Sequence, residues 1–375
     1  MRDLALGYAS KELFVQFLVR IKRELPNAIL AMFSTLKYVD APNFEKFRAD
    51  WRAEYLDGFV VSSQVFDGLK GDFPIGFLLW DQSQSKAISQ IIACVLDRCG
   101  KEIGEKSFAA HPSSSLLNAW IAKLRARGES ALPLSNACTV SKNPRPKKQC
   151  FGSIGYFYAS NNDLQHAGQE TCITSSIFTG GNGGGFFITK DNLWQVAIVF
   201  SVRMLVRHTW LNHDDQFLQP LQPLSNQFKS DCLVWMLFAG KNLSAGADGL
   251  RWNNRDWTLV NHFIPFTETD VGASARFESD FMVRHMSGMA FSPEAQTVLD
   301  EGRNLWRRYH AIGFPRKIRD ELKLNRTDAG WYQIRKALEA YSDTQLTDFE
   351  PFKAAYAALS AKLRPLVFEI GFLPA

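Results

Sequence analysis

Between Lys11 and Leu25 apolar residues return at helical spacing, with Leu13, Phe14, Phe17, Leu18 and Ile21 on one face. Ser10 stands where an N-cap belongs, and Pro26 where a helix must stop. The pattern then changes. Ala28 to Ser34, AILAMFS, is a continuous apolar run of strand length, as suits a strand covered on both faces in a parallel sheet. Asn43 to Tyr55 predicts a second helix, capped by Asn43 after Pro42. Two further apolar runs, FVVSSQVF (59–66) and FPIGFLLW (73–80), flank a short loop containing Asp67, Gly68, Lys70 and Gly71. The order helix, strand, helix, strand, strand predicts the closing end of a doubly wound α/β sheet with an antiparallel last strand. No opening βα unit precedes it.

Beyond Trp80 the periodicities shorten. Ile88 to Phe108 predicts a hairpin that turns near Arg98–Lys101. Ser113 to Arg127 predicts a helix, and Ala131 to Gln149 an exposed polar loop. Cys150 to Tyr158 and Thr171 to Phe178 predict strands, and Asp191 to His208 a helix. Ser230 to Phe238 is apolar without a clear period. After about Gly249 helical patterns dominate, at Pro293 to Tyr309, Gly330 to Tyr341 and Phe352 to Leu363. Three regions follow: 1–85, the rear half of an α/β sheet; 86–249, an α+β region; and 250–375, mainly helical.

Composition narrows this only slightly. The chain has 375 residues, 46% hydrophobic and 22% charged, which fits a globular protein with sizeable cores. The net charge of +5 is compatible with an anionic partner and equally with incidental basicity. Six cysteines without a CxxC pair argue against a zinc site and for a reducing cytoplasm. No run approaches a membrane span, and MRDLALGYASKELF lacks the layout of a signal peptide.

The first eighty residues resemble the adenine-specific, amino-methylating DNA methyltransferases. The likeness lies in the order of Leu13-Phe14-Val15-Gln16-Phe17, AILAMFSTLKYV, a helix with Phe47 and Arg48, a strand ending in Val65-Phe66, and FPIGFLLW. DCLVWMLF (231–238) and NHFIPFTETDVGA (261–273) are similar to C-terminal regions of type II restriction-modification methylases. The resemblance implies a Rossmann-like cofactor domain, a target-recognition region, S-adenosylmethionine as cofactor and double-stranded DNA as substrate. It matches Phe17 to the aromatic beside the cofactor's adenine, although the helix pattern alone equally reads Phe17 as core. It matches Phe66 to the ring that stacks on the extruded target base, with Phe73 as a second pocket wall and Lys70 as a phosphate contact. A strand-end core residue is the other reading of Phe66.

Two parts of that family's pattern are absent from the sequence. One is the Gly-containing cofactor loop; the other is the Asn- or Asp-Pro-Pro-aromatic tetrapeptide that polarises the adenine amino group. The expectation is therefore a C-terminal portion, starting shortly after the catalytic loop, with no catalytic residue of its own. A separate chain would then supply the front half. TGGNGGGFF (179–187) does not satisfy G-x-G-x-x-G and reads as a loop before a helix. Lys142, Arg145, Lys147 and Lys148, in a proline-spaced stretch, are the best candidate contacts to a DNA backbone, or else a solvated loop. Arg303, Arg307 and Arg308 offer a second contact or a salt-bridged surface. His208, His213, Asp214 and Asp215 lack a defined third metal ligand and read as a surface acidic turn. Glu321-Leu-Lys323 is similar to the end of a nuclease triad but lies in a helix-like stretch.

Overall fold

Apolar faces at two different periods assemble the first unit of the structure, a computed structural model that describes residues 4–142, 147–179, 184–341 and 345–374. Its elements are α1 (Leu13–Glu24), β1 (Ile29–Thr35), α2 (Lys37–Asp40), α3 (Glu45–Asp50), β2 (Glu54–Ser62), β3 (Pro74–Asp81), β4 (Gln90–Leu96) and β5 (Glu102–Ala109). The sheet order is β1-β3-β2-β4-β5. β3 runs antiparallel to both β1 and β2, so the last of the three strands in sequence sits between the first two. β2 pairs in parallel with β4, and β4 antiparallel with β5. Mixed α/β architecture is thus as expected.

Several local expectations are corrected. Ser10 is not the cap of α1; its hydroxyl donates to the Gly7 carbonyl, and Glu12 occupies the cap position without a side-chain bond. The buried residues of α1 are Val15 and Leu18, while Leu13 and Phe17 face outward. β1 is not covered on both faces. It is an edge strand, and Ile29 and Phe33 are 67% and 49% exposed. The 43–55 helix shortens to a 3-10 turn, Pro42–Phe44, followed by α3. β2 ends at Ser62, so Phe66 lies beyond a further 3-10 turn rather than at the strand end.

α1, α2 and α3 pack on one face of this sheet. There Leu18, Tyr38, Phe47 and Trp51 meet Val60, Leu78, Trp80 and Val95. The opposite face carries Phe33, Phe59 and Phe77 in mutual ring contact, 4.7–6.0 Å between centroids, with Ile92 exposed beside them. No helix covers it among the described residues.

Beyond Ala109 the predicted 113–127 helix is replaced by two 3-10 turns, Ser113–Ser115 and Leu117–Trp120, and then irregular chain. β6 (Ser130–Ala131) pairs with β7 (Lys147–Lys148), and the stretch after β6 is not the exposed loop expected, since Leu132, Leu134, Ala137 and Cys138 are buried in a small core. A second sheet has the order β10-β8-β9-β11 and is built from β8 (Gly155–Ala159), β9 (Thr171–Thr174), β10 (Gly185–Ile188) and β11 (Asn242–Leu243). Between them come α4 (Leu164–Ala167), α5 (Leu193–Leu205) and α6 (Asn226–Leu237). α5 is mostly apolar and buried on nearly every side, with Ser201 and Arg203 hydrogen-bonded inside.

β12 (Ala247–Trp252) and β13 (Arg255–Leu259) form an antiparallel hairpin, a feature the helical reading of this region did not predict. The helices α7 (Glu268–Val271), α8 (Phe281–Met286), α9 (Pro293–Ala311), α10 (Arg316–Glu321), α11 (Trp331–Tyr341) and α12 (Gln345–Glu369) follow. One core runs from Leu117 to Leu373 and mixes residues from both sides of the expected boundary at 249. The first unit likewise runs through β5 to Ala109, past the expected boundary at 85, because β4 and β5 belong to its sheet. Among the described residues no helix is long and apolar enough to cross a membrane.

Candidate nucleic-acid interface and cofactor face

α1 presents Phe17 outward into a cavity of about 540 Å³, shared with Leu6, Leu13, Gln16, Arg20 and Arg23. A half-exposed ring beside an aliphatic wall, with guanidinium groups at the rim, is a surface on which a flat purine can lie. Leu13 and Phe17 are therefore not the core residues of this helix. Their outward position is the geometry that a ligand-facing aromatic needs.

The loop between β2 and β3 is pinned at its base. Ser63 N donates to the Phe73 carbonyl at 2.8 Å, and Ser62 Oγ donates to Asp72 Oδ1 at 2.5 Å. Gly71, at φ +100°, makes the sharp return that an L side chain rarely adopts. Phe66 is half-buried and meets Phe33 edge-on, with centroids 5.4 Å apart. Phe73 instead lies 6.1 Å from the ring of His213. The two rings thus have different neighbours. Lys70 is exposed at the loop tip.

A second surface gathers around β7. The β6–β7 ladder continues outward, with Gly128 N donating to the Gln149 carbonyl and Gln149 N to the Glu129 carbonyl, both at 2.8 Å. It thereby draws the Lys123–Arg127 segment, K-L-R-A-R, alongside Lys147 and Lys148. Lys123, Lys147 and Lys148 line a cavity of about 340 Å³ with Tyr156 and Phe187, whose rings meet edge-on at 5.4 Å. Gly185 makes this packing possible, because a Cβ there would lie 2.3 Å from the Tyr156 hydroxyl oxygen. Gly184 and Gly185 are therefore explained by packing rather than by a cofactor, and Gly185 begins a strand instead of lying in a loop.

Lys148 also lines a neighbouring cavity of about 490 Å³ with Gly128, Trp252, Asn253, Arg255 and Trp257. Lys142, Lys147 and Lys148 form no ion pair among the described residues, and neither do Lys123, Arg125, Arg127 or Arg255. Arg145 lies outside the described residues. Unpaired cations interleaved with aromatic rings suit a phosphate backbone with bases beside it.

No protein-family model matches the chain. No curated protein matches it, and no solved structure does.

The remaining clusters serve the fold. Arg303 pairs with Asp300 at 2.8 Å and lies over the Phe266 ring, and Arg307 donates to the Asp270 carbonyl at 2.7 Å. Arg303 is thus salt-bridged, and Arg307 is held by the main chain. His208 and His213 approach edge-on at 5.9 Å, and no group of metal-ligating side chains occurs among the described residues. Asp215 is not a surface residue. Its carboxylate meets Lys106 of β5 at 2.8 Å in a largely buried pair, which ties the first sheet to the second unit. Burial raises the Asp215 carboxyl above its usual range despite that lysine. Glu321 ends α10, and Lys323 follows at φ +53°, so no strand carries that triad fragment.

Proposed function

We infer that residues 4–109 form the rear of an S-adenosylmethionine-dependent cofactor domain that methylates the amino group of adenine in duplex DNA. In this reading 110–374 carry target recognition. The observation that carries it is the incomplete first sheet. β1 has one unpaired edge, and the adjoining face shows exposed Ile29, Phe33 and Ile92 while helices cover only the other face. The sheet is mostly antiparallel, and such a sheet can leave one face to water, but that face is then polar, whereas here it carries Phe33, Phe59, Phe77 and Ile92. A bare edge beside a bare apolar face is where further strands and helices dock. A segment bearing the cofactor loop and the Pro-Pro tetrapeptide supplies those elements, and Phe17 and Phe66 then face adenosyl group and target base.

The test is methyl transfer from radiolabelled S-adenosylmethionine to adenine in duplex DNA. The chain is assayed alone and together with a polypeptide that carries the cofactor loop and the Pro-Pro tetrapeptide. Transfer is expected only from the pair. In that pair Phe66→Ala should lower kcat by at least ~10-fold through lost stacking on the flipped base, with Phe66→Trp retaining most activity. Transfer by the chain alone, or none by the pair, would overturn the assignment.

A DNA-binding module without transfer chemistry is the second reading. The basic and aromatic surface around Lys148 favours it, since that surface needs no cofactor. It predicts salt-sensitive duplex binding that S-adenosylmethionine does not change.

A further inference from the structure

We propose that the turn of the β12–β13 hairpin reads base edges of a DNA duplex held along the Lys148 groove. The turn is Asn253-Asn254, with φ +53° and +58° at its two residues, the left-handed pair of a tight two-residue hairpin. Asn is among the few residues that adopt this conformation readily, so the turn presents two amide side chains side by side. Arg255 follows directly. All three are exposed, and their side chains make no hydrogen bond or ion pair among the described residues. The neighbouring Arg251, by contrast, is taken up by Asp256 at 3.1 Å.

The hairpin is a firm support for such a tip. Leu250, Trp252 and Leu259 are buried in a small core of their own with Leu132 and Leu134. Trp257 Nε1 donates to the Trp252 carbonyl at 3.0 Å, bracing the strands just behind the turn. Reading requires this rigidity, because a loosely held amide discriminates poorly between bases. Asn253 and Arg255 line the same cavity as Lys148, so the cation that would hold a phosphate adjoins the groups that would face a base. A two-stranded ribbon fits the major groove. There an Asn amide pairs with adenine through two hydrogen bonds, and an Arg guanidinium does the same with guanine. Lysines alone would bind every duplex alike.

The inference rests on the DNA-directed part of the function above and is independent of the methyl transfer. The full chain is offered a randomised duplex library, and binding to selected and scrambled duplexes is then followed by fluorescence anisotropy. Wild-type protein should prefer the selected duplex by ~10-fold or more. Asn253→Gly/Asn254→Gly/Arg255→Gln keeps a turn-compatible backbone and should abolish that preference while leaving scrambled-duplex affinity within about threefold. Arg255→Gln alone should relax one base position. Lys147→Gln/Lys148→Gln should weaken all duplexes together and lower the salt slope by about 2.

A triple variant that keeps the wild-type preference would overturn the hairpin's role and leave the DNA-directed reading standing. A wild-type chain that binds duplexes without preference would also overturn that role. No duplex binding at low salt, or a preference for single strands, would remove both. Unchanged thermal unfolding of the variants confirms that each is folded.

Discussion

Asp40 shows how much a single position depends on neighbours that are remote in sequence. It is buried at the end of α2, and its Oδ1 has no hydrogen-bond partner. Burial first, and then the carboxylates of Asp214 and Asp215, push its carboxyl well above the usual 3.8, with Arg48 opposing them. The folded protein therefore holds this proton more tightly than the unfolded chain. Its contribution to stability is complete below about 3.8 and is lost as the pH rises through the raised native value. Asp40→Asn should gain stability over wild type progressively as pH rises from 4, and then level off. Urea midpoints at pH 4 to 8 check this; parallel curves for the two proteins would refute it. At this scale little was legible. Phe17 is a candidate through the family resemblance, while its helix pattern equally reads it as core; the structure leaves it 54% exposed. Lys147 and Lys148 were legible as charge. Lys123, Tyr156, Trp252 and Arg255 join them only through pairings across the chain.

Elements were readable where their apolar pattern was one-sided. α1, α9, α11 and the β4–β5 hairpin lie close to their expected spans because each buries a stripe or an alternate set of residues. α6 was ambiguous for the converse reason. It is buried on nearly every side, so its sequence has no period to read. The β12–β13 hairpin leaves little trace in the sequence because Asn253-Asn254 is a weaker turn signal than Asn-Gly. α6 also illustrates how elements are joined. Asp231, 1% exposed, accepts from Ser292 N at 3.0 Å at the start of α9 and from Lys362 Nζ of α12 at 2.9 Å. Asp231→Ala leaves both donors without this partner and should cost ~3 kcal/mol in urea unfolding. Asp231→Asn, which can still accept from Ser292, should cost clearly less. Equal losses would mean that the Ser292 bond contributes nothing beyond the lysine pair.

At the scale of the whole molecule, the sequence conveys an α/β beginning and a helical end, but not how they are partitioned. Trp306 of α9 stacks on Trp331 of α11 at 5.4 Å, and both belong to the core that also holds α5 and α6. No boundary at 249 survives that packing. The Lys106–Asp215 pair bridges the two units from opposite sides of a sequence gap that no local pattern reports. The order β1-β3-β2 adds a schedule of synthesis to this architecture. β3 is the last of the three to leave the ribosome, and the other two pair with it and not with each other. Until Asp81 emerges, β1 and β2 have no ladder to join, and α1 has no sheet to cover. Nascent chains arrested with Leu69 just outside the exit tunnel should be cut throughout by a protease, and those arrested well past Ala109 should resist. Protection at the earlier arrest point would mean that the helices gather before the strand meant to organise them exists.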